Sequence, residues 1–522
     1  MGMYINVGNA GFQSARNGEY VDKSGLIRIV NATLFSERRF SCVTRSRRFG
    51  KSMAAKMLCA YYDKSCDSRL LFADLEIASD QEFEKHLNKY PVIFLDISDF
   101  VTRFGGDIIV EKMDAELRKD ISAAYPEISV EEDDDLMNYL ARIVASTHQP
   151  FMFFIDEWDS ICREFEPGTK AMDNYVNWLR RLFKGGQSSQ VFAGVYLTGI
   201  LPIKKYNTQS ALNNFVEYSM VRPGGMGKYF GFTKDEVHTL SGKFGMDFAE
   251  LENWYDGYQI GDEPSMFNPN SVMMAVQNHM CENYWASTAS YEAISGYIGM
   301  NYEGLKDDIV AMFAGERREV DPAGFGNDMR DIHSKDDVLT VLIHLGYLSY
   351  DWRKRECYIP NREVSEEMAR AVKANRWHEV ANSLDKSKKL LAATLAGDEE
   401  TVAKCIEAVH DENTSILSYN DENSLSCVLS IAYYYARNDY VMHRELASGK
   451  GFADIVLIPR RNVDSPAIII ELKVDKDADA AIDQILRKAY PAKVAAYAGN
   501  LLLVGINYDR ATKVHSCRIQ AG

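Results

Sequence analysis

Hydrophobic and polar positions divide the chain into three stretches with different periodicities. In residues 1–235, short apolar runs alternate with amphipathic stretches, which is the pattern of a parallel α/β sheet. The apolar runs predict buried strands at Phe40–Thr44, Val92–Ile97, Phe151–Ile155 and Val191–Leu197. The amphipathic stretches between them predict helices, among them Lys51–Tyr62 and Ala171–Phe183.

The second stretch, residues 236–400, has a mainly helical pattern that is interrupted by the turn signals WYDGY (254–258) and FNP (267–269). Asp336–His344, followed by Gly346 and two β-like runs, predicts a helix that leads into a two-stranded wing. The turn between the two runs carries the basic residues Arg353, Lys354 and Arg355. A winged-helix contact with DNA and a packing unit between domains both fit this pattern.

The third stretch, residues 401–522, predicts a helix, two strands, a second helix and a third strand. These elements are Asn423–Ala436, Ala453–Ile458, Ala467–Lys473, Asp477–Tyr490 and Leu501–Ile506. The three stretches together predict an α/β protein with domains at residues 1–235, 236–400 and 401–522.

The charge and cysteine content of the chain limit the kinds of partner and site that we expect. The formal net charge of -16 argues against indiscriminate coating of nucleic acid or of an anionic membrane, so a nucleic acid would need local basic patches. Candidate patches contain Arg180, Arg181, Lys184, Lys204, Lys205 and the wing residues 353–355. The 9 cysteines form no Cys-x-x-Cys pair, which favours reduced thiols over a disulfide framework or zinc site. Without a signal peptide or an apolar run of ~20 residues, we expect a cytoplasmic protein with no membrane partner.

A phosphate-binding loop is predicted where the first strand ends. The strand Phe40–Thr44 runs into RSRRFGKS (45–52) and then into a helix, an order that surrounds a phosphate with backbone N–H groups. We expect Lys51 to contact the β- and γ-phosphates of a nucleotide and Ser52 to bind Mg²⁺. The predicted loop also includes Arg47, Arg48, Phe49 and Gly50. Arg47 and Arg48 either face phosphate or pack at a subunit boundary, and Arg45 stands where the first glycine of a P-loop is expected.

A second nucleotide motif follows the hydrophobic strand 151–155. Asp156 is expected to hold the Mg²⁺ shell, and the adjacent Glu157 to polarise the attacking water. Thr198, after the last predicted strand, occupies the place of a residue that senses the γ-phosphate. Taken alone, Asp156 and Glu157 are equally consistent with the end of a strand that caps the following helix. Together with the loop at 45–52 they predict binding and hydrolysis of a nucleotide.

The C-terminal stretch carries acidic and basic residues in the order of a metal-dependent phosphodiesterase. Glu471 and Lys473 alternate with Leu472 on one strand, so both point to the same face, and Asp454 lies on the preceding strand. Carboxylate oxygens suit Mg²⁺, and the lysine can orient the nucleophile or stabilise the transition state. Supporting candidates are Glu422 as a further metal ligand, Gln484 as a catalytic residue, and Glu445, Lys488 and Tyr490. A surface ion pair is the competing interpretation of Glu471 and Lys473.

These motifs together resemble the bacterial proteins that join an N-terminal AAA-ATPase-like domain to a C-terminal PD-(D/E)XK nuclease domain. The resemblance rests on YVDKS (20–24), RSRRFGKS (45–52), FIDE (154–157), LTG (197–199), WYDGY (254–258), NP (268–269), Glu445, GFAD (451–454), IELK (470–473) and residues 484–490. It implies a P-loop ATPase sheet with Walker A and Walker B motifs, a helical and winged-helix-like middle, and a restriction-endonuclease-like α/β domain. It also implies ATP, Mg²⁺ and a nucleic-acid substrate. Two positions depart from the family pattern: Ser46 replaces a proline, and no arginine follows Gly451.

The sequence supports three hypotheses of different kinds. The first is an ATP-regulated, Mg²⁺-dependent DNA endonuclease. The second is a signalling ATPase switch whose C-terminal domain binds nucleic acid or protein without cutting. The third is a scaffold that binds nucleotide only for stability. A homo-oligomer is compatible with all three.

Overall fold

The computed structural model describes most of the chain, in two compact units. Its residues are 2–129, 131, 135–166, 168–203, 212–285, 291–326, 331–375, 377–413, 428–448, 451–460, 463, 465–487, 494, 497 and 499–522. The first unit comprises Met1–Tyr284 and Glu319–Asn361, and the second comprises Trp285–Arg318 and Arg362–Gly522. The middle stretch of the sequence thus contributes to both units, and the three-domain division stays a prediction.

A parallel sheet of five strands forms the centre of the first unit. The strands are β1 (Phe40–Thr44), β2 (Val92–Asp96), β3 (Phe151–Asp156), β4 (Phe192–Gly199) and β5 (Val216–Tyr218). Their order is β2-β3-β4-β1-β5, and every neighbouring pair is parallel. Since β4 lies between β1 and β3, the carboxyl ends of these three strands meet at one edge of the sheet.

Helices cover both faces of this sheet, which explains why its strands are nearly continuous apolar runs. Phe153 and Leu197 face one buried cluster, and Met152 and Tyr196 face the other. The α-helices of the first unit are Ala10–Arg16, Gly25–Asn31, Lys51–Tyr62, Arg69–Phe72, Phe83–His86, Ile97–Arg103, Ile109–Ala124, Leu136–Thr147, Ser160–Glu164, Lys170–Phe183, Ser188–Val191, Lys234–Phe244, Phe248–Tyr255, Pro269–Asn278 and Lys335–Leu345. Short 3-10 helices lie at Glu76–Ser79, Gly106–Ile108 and Gly224–Tyr229.

The strand predicted at 92–97 ends one residue early for a local reason. The Asp96 side chain accepts a hydrogen bond of 2.9 Å from the backbone N–H of Ser98 and caps the helix that begins at Ile97. A capping aspartate satisfies a helix N–H group that has no partner within the helix.

A small sheet interrupts the mainly helical pattern expected after residue 235. It contains β6 (Phe232–Thr233), β7 (Tyr258–Ile260) and β8 (Glu263–Phe267) in the order β6-β8-β7. The WYDGY signal ends a helix at Tyr255 and begins β7, with Gly257 at φ +114°, where a Cβ would clash with the Pro360 carbonyl oxygen. Only glycine fits this turn.

The helix-and-wing pattern appears as expected, with small shifts at its ends. Helix Lys335–Leu345 stops at Gly346, and β10 (Ser349–Asp351) pairs antiparallel with β11 (Glu356–Tyr358). The short β9 (Arg318–Glu319) lies beside β11. Contact of this wing with DNA stays a prediction.

The second unit is built on a mixed sheet of five strands. They are β12 (Tyr440–Ser448), β13 (Gly451–Pro459), β14 (Ala467–Val474), β15 (Leu501–Asp509) and β16 (Val514–Ala521), in chain order across the sheet. Only β14 and β15 are parallel, and helix Ala478–Arg487 lies in the crossover between them. The other α-helices are Tyr291–Gly299, Leu305–Phe313, Arg362–Ala374, His378–Ala396 and Glu399–Asn413, and a 3-10 helix spans Tyr434–Asn438.

Gly505 fixes the distance between this crossover helix and the sheet. A Cβ at Gly505 would clash with the carbonyl oxygen of Ala478, the first residue of the helix. The close approach buries Ile482 and Ile485 of the helix against the sheet. Within the part of the chain that the structure describes, no helix is long and apolar enough to cross a membrane.

Candidate functional sites

The loop after β1 has the backbone of a phosphate cradle. Arg48 and Gly50 adopt left-handed conformations, at φ +69° and +87°, and the next helix starts at Lys51. A Cβ at Gly50 would meet no atom within 4 Å, so its backbone conformation, not crowding, favours glycine. Left-handed residues alternating along a loop turn successive N–H groups inward toward an anion. The loop therefore suits a phosphate group.

Lys51 is buried inside this loop. Its ammonium donates hydrogen bonds of 3.0 Å to the carbonyl oxygens of Arg45 and Ser46, and its Nζ lies 4.0 Å from Glu157 Oε1. Burial lowers the pKa of Lys51, and the carboxylates of Glu157 and Asp156 oppose that shift. A buried ammonium held mainly by neutral carbonyls is a strong site for an added anion.

Arg45, which replaces the first glycine of the loop, is fully buried. Its guanidinium donates to the Thr44 carbonyl at 2.8 Å and to the Tyr218 carbonyl at 2.7 Å, and it stacks on the Phe230 ring at 5.2 Å. Burial lowers its pKa to about 10. Arg45 thus ties the loop to β5 and to the segment that follows it.

The remaining loop residues fall into different environments. Phe49 is fully buried and packs edge-on against Tyr258 at 5.0 Å, so its side chain belongs to the core. Arg47 is exposed, Arg48 is half-buried, and Ser52 is half-buried in the first turn of the helix. Their predicted nucleotide contacts stay predictions.

Asp156 and Thr198 meet at the ends of β3 and β4. Ile155 pairs with Leu197, which brings the next residue of each strand side by side. The Thr198 hydroxyl donates to Asp156 Oδ1, and the backbone N–H of Glu157 donates to the same oxygen at 3.1 Å. Both side chains are buried. The sheet therefore joins the two predicted motifs into one polar centre beside Lys51.

Glu157 is held in an uncommon conformation. Its φ is +50°, which is strained for a residue with a Cβ, and Arg163 Nη2 donates to its Oε2 at 2.5 Å. Burial raises the pKa of this carboxyl group, and the Lys51 ammonium opposes the shift. Strain and a perturbed pKa beside a phosphate loop are typical of a functional carboxylate.

Asp159 is a member of this centre that the sequence analysis did not single out. It is fully buried, and its Oδ2 accepts hydrogen bonds from the backbone N–H groups of Ile200 at 3.1 Å and Leu201 at 2.9 Å. Arg163 Nε lies 3.2 Å from the same oxygen. The four-residue spacing of Asp159 and Arg163 was a usable signal, because such pairs share a helix face.

The residues present fit a nucleotide with Mg²⁺. The site combines a loop with left-handed backbone at two positions, a buried ammonium, a serine hydroxyl and an aspartate at a strand end, which are the features that cradle phosphates and a hard cation. Lys51, Ser52, Asp156 and Thr198 would hold the nucleotide and its metal.

The candidate nuclease site lies where β13 and β14 pair. Ile455 faces Ile470, so Asp454 and Glu471 occupy the next positions of the two strands. Asp454 Oδ2 accepts a hydrogen bond of 2.6 Å from the backbone N–H of Leu472. Residues opposite each other on antiparallel strands share a face of the sheet, so the two carboxylates project from the same side.

Glu471 is the centre of a buried group of polar side chains. Its Oε1 accepts a hydrogen bond of 3.2 Å from Lys473 Nζ and another from Gln484 Nε2. Glu471 and Lys473 are only 2% and 7% exposed, unlike a surface ion pair. The structure thus brings together Asp454, Glu471, Lys473 and Gln484, as the order of the motifs predicted.

The structure says less about the other predicted members of this site. Glu445 is in β12, and Glu422, Lys488 and Tyr490 fall outside the described residues. Among the described residues, no three His, Cys, Asp or Glu side chains are grouped to hold a metal ion. The pair Asp454 and Glu471 still fits Mg²⁺, because this ion is often bound through one or two carboxylates and keeps several waters.

Comparison with known proteins supports the same two parts. Residues 7–208 match the family model described as predicted AAA-ATPase, and residues 421–517 match that of the PD-(D/E)XK nuclease superfamily. No curated protein is detectably similar in sequence.

Several solved structures align over much of the chain at low similarity. The structure of the Aeropyrum pernix ORC2 protein in ADPNP–ADP complexes shows 10% identity over 69% of this chain and 98% of its own, with a TM-score of 0.33. That of the Aeropyrum pernix ORC1 protein in complex with DNA shows 11% identity over 88% and 94%, with a TM-score of 0.24. A DNA replication initiation factor shows 11% identity over 80% and 96%, with a TM-score of 0.26.

At these TM-scores the structural likeness carries no argument about function. The two family matches and the observed sheets confirm the fold and the architecture that the sequence motifs predicted. The chain is a protein with an N-terminal AAA-ATPase-like domain and a C-terminal domain of the PD-(D/E)XK nuclease superfamily.

Proposed function

We propose that this protein binds and hydrolyses ATP, and that its nucleotide state regulates a Mg²⁺-dependent phosphodiesterase that cleaves DNA. The observation that carries the proposal is the burial of two lysine-and-carboxylate centres in one chain. One contains Lys51 beside Glu157 and the other contains Lys473 on Glu471. The family matches assign these centres to an ATPase-like and a nuclease-superfamily domain.

In the ATPase centre each residue has a distinct task. Lys51 would bind the phosphates, and Asp156, which accepts a hydrogen bond from Thr198, would hold Mg²⁺ with its water ligands. Glu157 orients and polarises the attacking water. When bound, Mg²⁺ would neutralise charge that develops on the phosphates.

In the nuclease centre the chain supplies two carboxylates and a cation. Asp454 and Glu471 would hold the metal, which lowers the pKa of a bound water when present. Lys473 lies on the same face and stabilises the negative charge of the scissile phosphate. Gln484 fixes the orientation of Glu471 by its hydrogen bond.

The test is cleavage of a panel of DNA and RNA substrates by the full chain with Mg²⁺, alone and with ATP, ADP or a non-hydrolysable analogue. Glu471→Ala and Lys473→Ala should abolish cleavage and leave ATP hydrolysis intact. Lys476→Ala is the matched control, because Lys476 is an exposed lysine just beyond the same strand. Equal cleavage by wild type and Lys473→Ala would contradict the proposal. A cleavage rate that is the same with ATP, with ADP and without nucleotide would contradict it as well.

A signalling ATPase switch with a non-cleaving C-terminal domain is the second candidate. The protein itself already engages both nuclease carboxylates, Asp454 through Leu472 N–H and Glu471 through Lys473 and Gln484, which is compatible with a purely structural polar cluster. This candidate predicts ATP hydrolysis that is lost in Lys51→Ala, but no metal-dependent cleavage under any nucleotide condition. Lys56→Ala, an exposed lysine of the same helix, is the control for that variant.

A further inference from the structure

Arg163 connects the two carboxylates that follow β3. Its Nη2 donates to Glu157 Oε2 at 2.5 Å and to the Ser160 hydroxyl at 3.1 Å, while its Nε lies 3.2 Å from Asp159 Oδ2. The Arg163 side chain is 15% exposed and that of Glu157 is 22% exposed. The contact is therefore largely shielded from solvent, where a charge-assisted hydrogen bond holds its partners more firmly than at an open surface.

The two oxygens of Glu157 have different surroundings. Oε2 is bound by Arg163, whereas Oε1 lies toward the phosphate loop, 4.0 Å from Lys51 Nζ. Rotation of the carboxylate would break the contact with Arg163. Fixing one oxygen of a carboxylate sets the direction in which the other can accept a proton or orient a water.

We propose that Arg163 is a positioning residue for ATP hydrolysis: by binding Glu157 Oε2 it aims Oε1 at the water that attacks the γ-phosphate. This inference rests on the proposed function, in which Glu157 polarises that water. Arg163 contacts Glu157, Ser160 and Asp159. It acts only through Glu157.

The same arginine relates Glu157 to the segment after the sensor strand. Asp159, beside Arg163, accepts the backbone N–H groups of Ile200 and Leu201, which follow Thr198 by two and three residues. The strand end that carries Thr198 and the carboxylate of Glu157 are thus joined through Asp159 and Arg163. A movement of residues 200–201 would alter the aim of Glu157.

The experiment compares ATP hydrolysis by the full chain with Arg163→Met, Arg163→Lys and Arg28→Met. Arg28 pairs with Glu76 and Asp80 at the surface and provides an arginine-to-methionine control outside the site. We expect Arg163→Met to lower kcat roughly ten- to a hundredfold, because small misplacements of a catalytic group have effects of that size. KM should change by less than about twofold, since the residue does not touch nucleotide. Arg163→Lys should recover part of kcat, and binding of a fluorescent ATP analogue should stay unchanged in all three.

A double variant tests whether Arg163 acts through Glu157. In a Glu157→Gln background, adding Arg163→Met should change the residual rate by less than about twofold, because coupled residues are not additive. The inference would be overturned if the two substitutions lowered kcat by independent, multiplicative factors. It would also be overturned if Arg163→Met left kcat unchanged, which would give the arginine no role, or increased it, which would make the arginine inhibitory. If wild type does not hydrolyse ATP, or Glu157→Gln hydrolyses it normally, the proposed function fails and this inference fails with it.

Discussion

The two candidate sites hold a buried lysine in opposite ways. Lys51 is hydrogen-bonded to two backbone carbonyls and lies 4.0 Å from the nearest oxygen of Glu157, whereas Lys473 lies 3.2 Å from Glu471 Oε1. Lys51 is therefore held at short range by neutral carbonyls and at longer range by Glu157, whereas Lys473 is hydrogen-bonded directly to a carboxylate. The difference indicates that the first site is built to receive an anion, and the second to present a compensated carboxylate to a cation.

The sites also differ in what their geometry depends on. The nucleotide site uses left-handed backbone at Arg48, Gly50 and Glu157, so its shape resides in the main chain. The nuclease site uses two regular strands and one helix, and its carboxylates are held by the backbone N–H of Leu472 and by the side chains of Lys473 and Gln484. In both sites a side-chain hydrogen bond orients a carboxylate, from Thr198 to Asp156 in the first and from Gln484 to Glu471 in the second.

The largest expected effect comes from exchanging the two lysines for alanine. Lys51→Ala should lower ATP hydrolysis, and Lys473→Ala should lower Mg²⁺-dependent cleavage, each by about a thousandfold, the loss typical of a charge that stabilises a transition state. Steady-state phosphate release and a nicking assay measure the two reactions. Loss of ATP hydrolysis in Lys473→Ala would show that the two lysines do not serve separate reactions.

Gly505→Ala should destabilise the second unit by about 3 kcal/mol, because the added methyl group must displace the backbone of helix Ala478–Arg487. The rate of cleavage should fall because Gln484, which lies on this helix, is displaced from Glu471, whereas ATP binding should persist. Denaturant unfolding and limited proteolysis would report the loss. Gly499→Ala is the control, since a Cβ there meets no atom within 4 Å. Equal stability of the two variants would contradict the close packing described above.

Acid should weaken the second unit through His515. Burial, with a smaller contribution from His410, lowers the pKa of His515 to about 4 from 6.5. The unfolded chain then binds more protons than the folded chain between these values, so stability falls as pH drops through this window, by about 2 kcal/mol at pH 5. His410, Tyr508 and Glu407 surround the ring or its backbone. Denaturant unfolding of wild type and His515→Phe at pH 5 and pH 7.5 measures the effect, and a variant with the same acid loss as wild type would rule out His515 as the cause.

The smallest effects come from the hydrogen bonds that orient each carboxylate. Thr198→Val removes the donor to Asp156, and Gln484→Leu removes a donor to Glu471. Each should lower its own reaction by about tenfold, the equivalent of one hydrogen bond to a charged group. Thr198→Ser and Gln484→Asn are the paired controls; serine keeps the hydroxyl, whereas asparagine is too short to keep the contact. A Gln484→Asn enzyme with full activity would show that the distance to Glu471 is unimportant.

Much of this fold was readable from the sequence because its signals are local. The strand at Phe40–Thr44 and the helix at Lys51–Tyr62 were predicted with their observed ends. The outer strands β12 and β16 and the small sheet β6–β8 were not predicted, although burial alternates along β7 and along most of β16. Edge strands depend on pairing with distant segments, which sequence periodicity does not record.

The candidate sites divide in the same way. Residues in compact motifs, such as Lys51 with Ser52 or Glu471 with Lys473, could be predicted from spacing. For Asp159 and Arg163 the four-residue spacing indicates only a shared helix face, and their contacts with residues 200–201 and with Glu157 depend on the folded structure.

Arg45 has a consequence for which residues the loop can accept at position 45. Its guanidinium supplies the Tyr218 carbonyl with a donor and fills the space beside Phe230, both far along the chain. Substitution of Arg45 by glycine, the commoner residue at this place in P-loops, would leave the Tyr218 carbonyl without that donor and a void beside an aromatic ring. Position 45 is therefore coupled to residues 218 and 230, so a glycine there would be better tolerated together with changes at these partners.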